Sequence, residues 1–200
     1  YVDATKKTVE VIVILDNCVP AVELVHAHFS NQFGIPVKFE KYFKPVGNAG
    51  TFRRQCEIVK TFGDSEIAFF LEDDYLTVDM ELFIVMDLMF ENYDVDGVNP
   101  HWHPRGGVSR KSPVLDSIEI NKIRFGRIDN SCFTFAVKSQ IVKENEGMFL
   151  NYCARCREND SFNNVWKEKR FYGVYDGTMM EHLHQCDLSG VFDLGVPIRK

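Results

Sequence analysis

The sequence predicts an α/β protein: a single domain with a central, mostly parallel, twisted sheet flanked by helices. Three observations carry that expectation. Val9–Leu15 and Ile67–Leu71 are short, nearly continuous apolar runs of the kind found in strands buried on both faces. Segments with apolar residues every three or four positions alternate with such runs as far as Trp102. The run ending at Leu71 leads into three consecutive acids, Glu72, Asp73 and Asp74, at the strand end where ligands of open α/β sheets bind.

The elements follow in order. Val9–Leu15 is the first strand, and Asp16-Asn17 end it in turn chemistry. Pro20 suits the first turn of a helix striped by Val22, Val25, Phe29 and Phe33 and closed by Gly34. Ile35–Phe43 is the second strand, and Gly47–Gly50 reads as a loop before a helix with Phe52, Cys56, Val59 and Phe62 on one face. After the acid-tipped strand, Thr77 is placed as the N-cap of a helix whose buried side is Leu82, Phe83, Met86, Met89 and Phe90. Val95–Trp102 is a further strand. Between His103 and Ile128 the periodicity fails, and Gly, Pro and six basic residues suggest a long irregular connection with room for a hairpin. Phe133–Val137 resumes as a strand, Ser139–Glu146 as a helix ended by Gly147, and Asp160 as a possible cap for a helix carrying Phe162, Val165 and Trp166. Phe171–Tyr175 and Met179–Cys186 close the sheet.

Composition narrows the function classes. Lys and Arg number 23 against 29 Asp and Glu, and the formal charge of -6 argues against a general nucleic-acid binder. No apolar run reaches the roughly 18 residues of a membrane helix, and no secretory leader is visible. The opening Tyr1 and the late Val191–Val196 stretch suggest a domain from a longer polypeptide. Six cysteines, mostly within apolar or helical patterns, fit a reducing, cytoplasmic setting. Cys153 and Cys156 have C-x-x-C spacing, but no second pair completes a zinc site.

The triplet 72–74 carries the chemistry. Three adjacent carboxylates repel one another and need a cation nearby, and a divalent metal holding a phosphorylated ligand supplies one. A solvated acidic turn is the alternative reading. His182 and His184 fall two apart in a closing strand, on one face by alternation, so spacing does not choose between them. Arg53 and Arg54 stand early in a helix, where a planar guanidinium can meet phosphate or a base edge. His101 and His103 flank Trp102 at a strand end, with packing as the plainer role for the Trp.

Taken in order, these parts resemble the nucleotide-sugar-dependent glycosyltransferases of the GT-A fold over almost the whole chain. The parts are a strand ending Asp16-Asn17, a Gly-rich segment before Arg53-Arg54, the acid-tipped strand, Asn130-Ser131-Cys132 before a strand, Glu158-Asn159-Asp160 before a helix, and a His-bearing strand. The resemblance implies a GT-A-like, Rossmann-like domain with a nucleotide-binding part over about residues 1–100 and an acceptor- and metal-completing part over about 101–200. It implies Mn²⁺ or Mg²⁺ as cofactor, a UDP-sugar donor, and a glycan or glycoprotein acceptor. Glu72-Asp73-Asp74 stands in place of the family's D-x-D signature, with Glu as the first acid. By that correspondence Asp74 is the first metal ligand, Glu72 and Asp73 share metal or nucleotide contacts, and His184 or His182 completes the metal set. Asp16 and Asn17 match positions that recognise base and ribose, although either can be only a turn former. Asp160 matches the acceptor-side carboxylate, which acts as a base in inverting members. Two other classes stay open: a nucleotidyltransferase making the activated sugar, against which Cys18–Glu23 supplies neither Gly nor Lys, and a non-catalytic nucleotide- or glycan-binding module.

Overall fold

A computed structural model describes residues 7–18, 20, 23–24, 27–28, 36–72, 75–77, 81–101, 116–131, 134–176 and 179–182. In chain order the elements are β1 (Val11–Asp16), β2 (Val37–Tyr42), α1 (Gly47–Val59), β3 (Ile67–Phe70), β4 (Tyr75–Thr77), α2 (Leu82–Asn92), β5 (Gly97–Asn99), β6 (Ser117–Ile120), β7 (Ile123–Arg127), β8 (Phe135–Lys138), α3 (Ser139–Glu144), α4 (Glu146–Arg155), a 3₁₀ turn (Glu158–Asp160), α5 (Asn163–Glu168), β9 (Phe171–Asp176) and β10 (Met180–His182). Pro20, Glu23, Leu24, Ala27 and His28 are helical, while Val22, Val25, Phe29 and Phe33 of the expected stripe lie outside the described residues. The chain divides into two compact units, Tyr1–Glu66 with Ser139–Val165, and Ile67–Lys138 with Trp166–Lys200.

In the first unit β1 and β2 pair in parallel, from Val11 opposite Val37 to Asp16 opposite Tyr42. The segment expected as a Gly-rich loop is instead the first turn of α1. Gly47 supplies a left-handed φ of +64°, and a Cβ at Gly50 would lie 2.5 Å from the Val46 Cβ, so the two glycines let the helix start tightly against the chain before it. Phe52 and Cys56 are buried on α1, and Phe52 packs edge-on against Tyr152 of α4 at 5.3 Å and against Phe162 at 5.7 Å. The helix expected to end at Gly147 stops earlier, at Glu144, and α4 begins at Glu146 with Gly147 in its first turn. Asn145 makes the joint, its amide donating to the Ile141 carbonyl while its own carbonyl accepts from Met148 and Phe149.

The second unit holds a six-stranded sheet in the order β3-β8-β5-β9-β7-β6. Its pairing corrects the expectation of a mostly parallel sheet: only β5 and β9 run parallel, and β3-β8, β5-β8, β7-β9 and β6-β7 are antiparallel. Apolar continuity reports burial on two faces and carries no information about strand direction. Ala136, Tyr172 and Val174 face a core with Leu82, Val85, Met86 and Met89 of α2. Phe135 and Phe171, offset by one residue from those, pack on Trp166, which stacks on Phe171 at 4.1 Å and donates its indole N–H to Ser131 Oγ at 2.8 Å. The room left for a hairpin in the irregular connection is filled by β6 and β7. Asn121 and Lys122 between them have φ of 51° and 68°, the double left-handed geometry of a two-residue hairpin turn.

Two further expectations change here. Thr77 belongs to β4, which pairs antiparallel with β10, and does not cap α2. Glu81 precedes α2, accepting at its carboxylate from Asn121 and at its carbonyl from Val85. Phe83, expected inside, is 42% exposed and meets Phe69 edge-on at 5.8 Å, because Val85 takes the inward position.

Candidate functional site

The carboxyl ends of β1 and β2 are the first place to look for a ligand, since backbone groups there run out of partners. Asp16 occupies that end and is half-buried. Its two oxygens accept from the backbone N–H groups of Val46 and Gly47, each at 2.8 Å. Val46 brings no capping side chain, so this aspartate, thirty positions earlier in the chain, serves as the N-terminal cap of α1. Each carboxylate oxygen retains a second lone pair for a further donor. Asn17 has a left-handed φ of 54°, which Asn tolerates better than most residues, and its N–H donates to the Tyr42 carbonyl at 2.9 Å. The turn-forming role is therefore met at both positions. A cavity of about 150 Å³ opens beside them, lined by Leu15, Cys18, Pro20, Lys41, Tyr42 and Phe43. That volume suits one ring of a ligand and falls short of enclosing a whole nucleotide sugar.

The two arginines of α1 separate clearly. Arg54 grips both oxygens of Glu40 through Nε and Nη2, at 2.5 and 2.7 Å, and reaches Glu57 at 3.0 Å. The pair holds the Glu40 carboxyl below the usual glutamate range and raises the guanidinium further. Glu10, Lys38, Glu40, Arg54 and Glu57 line a second cavity of about 200 Å³, whose cations already face carboxylates. Arg53 is exposed and makes no ion pair among the described residues, which leaves it the better candidate for a phosphate or base edge.

In the second unit β3 ends at Phe70 and the chain reaches the acids through exposed Leu71. Glu72 is half-buried, and its N–H points to the buried Thr134 hydroxyl at 3.4 Å. Asp73, Asp74 and His184 lie outside the described residues, as do Trp102 and His103. The backbone of His182 is described, and the β4–β10 register sets it directly opposite Tyr75, the residue that follows Asp74 in the chain. Among the described residues no three His, Cys, Asp or Glu side chains gather in a metal-holding group. His101 is buried at the end of β5, where its Nδ1 donates to the Met180 carbonyl at 3.1 Å and its backbone N–H donates to Asn99 Oδ1. A carbonyl only accepts, so the tautomer is set, and His101 fastens the end of β5 to β10.

Asp160 closes the 3₁₀ turn, exposed, with Arg157 at 3.9 Å. The expected helix-capping role is not what the turn shows. The α5 helix starts after Ser161 and Phe162, whose carbonyls accept from Asn164 and Val165. The carboxylate of Asp160 is thus left toward solvent.

Sequence reasoning missed the capping of α1 by Asp16 and the fixed tautomer of His101. Neither has a local signal, because both are contacts between distant stretches of chain. The Glu40–Arg54 pair was visible only as two charges of opposite sign. No family model matches the sequence, and no curated protein matches it. Among solved structures it is similar to one described as "Crystal Structure of A197 from STIV", at 11% identity and a TM-score of 0.49, covering 88% of this chain and 86% of that one. No helix among the described residues is long and apolar enough to cross a membrane.

Proposed function

We propose that this chain is a metal-dependent glycosyltransferase that moves a hexose or deoxyhexose from a UDP-sugar to a hydroxyl of a glycan or glycoprotein. The observation that carries the reading is the β4–β10 register, which brings the histidine-bearing strand alongside the residue after the acidic triplet. The two paired strands lie about a hundred residues apart in the chain; β4 begins at the residue after the triplet and β10 ends on His182. Carboxylate oxygens with an imidazole suit Mn²⁺ or Mg²⁺, Mn²⁺ being the more tolerant of nitrogen. Asp74, with Glu72 or Asp73 and with His182 or His184, would hold the ion. When bound, it supplies Lewis-acid stabilisation of the diphosphate leaving group.

The remaining roles fall to side chains of the chain itself. Arg53, exposed on α1, offers paired donors to phosphate or base. Asp16 keeps acceptor capacity for a ribose hydroxyl while it holds α1, and Asn17 orients the same turn. Asp160, exposed to solvent, takes the acceptor proton in an inverting course or orients the acceptor in a retaining one. Within the GT-A family, the sequence resembles the amino-terminal glycosyltransferase domain of the large chlorella-virus protein that glycosylates the capsid. A place in a longer polypeptide working in the host cytoplasm follows from that resemblance.

The test is UDP release from a panel of UDP-sugars with Mn²⁺ and with EDTA, beside calorimetry of UDP binding. Metal-dependent release supports the assignment. Pyrophosphate formation would move the chain to the nucleotidyltransferases, and binding without product to the binding modules. No metal-assisted uptake of UDP or GDP would remove the proposal.

A further inference from the structure

The C-x-x-C pair is untouched by the function proposed above, and its surroundings give it a chemistry of its own. Cys153 lies in the last turn of α4 and Cys156 is the residue that caps it. Cα atoms three apart along a helix stand about 5 Å from one another, within the range a disulfide spans, and closing the bond requires the two Cβ atoms to come to about 3.5–4.5 Å. Cys156 adopts a left-handed conformation, φ 48° and ψ 47°, at a place where Gly or Asn is usual, and its N–H donates to the Tyr152 carbonyl at 2.7 Å. A side chain with a Cβ at such a position costs of the order of 1 kcal/mol over glycine. Cys156 is exposed, Cys153 half-buried, and Cys56 on α1 fully buried. Arg155 and Arg157 adjoin Cys156 in the chain and all three are exposed, so a small oxidant reaches the thiol from solvent.

We propose that Cys156 and Cys153 form a peroxide-sensitive dithiol site, with Cys156 as the attacking thiol and Cys153 as the resolving one. Cys156 Sγ attacks one oxygen of hydrogen peroxide, forming an S–O bond and breaking O–O, which gives a sulfenic acid and one water. Cys153 Sγ then displaces hydroxide from that sulfur, its proton leaving with the hydroxide as a second water, and the S–S bond closes. The two thiols lose two electrons and two protons, and the peroxide takes up both. Burial raises the Cys153 thiol, with Arg53 opposing and Cys156 adding to the shift, which fits a group that waits for the sulfenic acid. Cys56 is pushed up to about 12, first by burial and then by the nearby Cys153, Glu146 and Glu57, which suits a packed thiol.

The test uses the whole chain. Treat it folded with a small excess of hydrogen peroxide, quench with catalase, alkylate under denaturing conditions and measure intact mass and peptides. With six cysteines, the expected product has four alkylated thiols and one disulfide, and reductant restores all six. Trypsin cuts after Arg155, so a Cys153–Cys156 bond joins two peptides that separate on reduction. Cys153→Ser and Cys156→Ser should each abolish the bond, Cys18→Ser should not, and Cys153→Ser should trap the sulfenic acid on Cys156 for a dimedone probe. Six alkylated thiols after treatment, a bond mapped to Cys56, or sulfinic acid at Cys156 without any bond would each overturn the proposal.

Discussion

Replacing Asp16 by Ala separates a capping role from a purely local turn. The substitution removes both acceptors from the N–H groups of Val46 and Gly47, now held at 2.8 Å each. A lost N-cap typically costs about 0.5–2 kcal/mol, and a carboxylate at a helix N-terminus adds about 0.3–1 kcal/mol through the dipole. Because this single carboxylate serves two donors and is half-buried, the upper part of that range applies, about 2 kcal/mol. At 200 residues that corresponds to a fall of about 4–8 °C in Tm. Asp16→Asn keeps one acceptor oxygen and should lose about half as much. Guanidinium unfolding followed by far-UV circular dichroism reads both values. If Asp16→Ala stays within about 0.5 kcal/mol of the parent, as an ordinary surface change does, the capping argument is wrong.

Three further outcomes follow from the same geometry. Gly50→Ala should destabilise by about 1–3 kcal/mol, since its new Cβ meets the Val46 Cβ at 2.5 Å, while Gly147→Ala meets nothing within 4 Å; paired thermal melts compare them. Arg54 lowers the Glu40 proton affinity in the folded chain, so the pair stabilises above the ordinary glutamate range and fades as pH falls through the lower folded value. Glu40→Gln should therefore shrink the difference in stability between pH 7 and pH 3, by less than about 1 kcal/mol because both partners are about one-third exposed. Asp74→Ala should leave the circular dichroism spectrum and Tm nearly unchanged yet abolish Mn²⁺-dependent UDP release; an unaltered rate would contradict the assignment of that residue.

Much of the element order was legible because burial leaves a periodic imprint. β1, β2, α1, α2, β8 and β9 fall where apolar spacing places them. Strand direction was not legible. Phe135, Ala136 and Val137 would be buried whichever way β8 ran, and it pairs antiparallel with both β3 and β5. The start of α1 was misplaced because its cap comes from β1, so a local search around Gly47 finds no Ser, Thr or Asp. Thr77 reads as a helix cap in the sequence because a strand of three residues is too short to show alternation. For the site, residue types point to Asp16, the Arg53–Arg54 pair, His182 and His184, and the structure separates exposed Arg53 from the engaged Arg54.

The first unit is spliced from two stretches that bracket 67–138, and synthesis meets them in that order. The face of α1 bearing Phe52 and Cys56 leaves the ribosome about a hundred residues before Tyr152 and Phe162, the rings that cover it. At roughly 5–20 residues per second, it waits roughly 5–20 s without its cover. A nascent chain halted at residue 138 should accordingly bind holdase chaperones through this helix, and one extended past 165 should let them go.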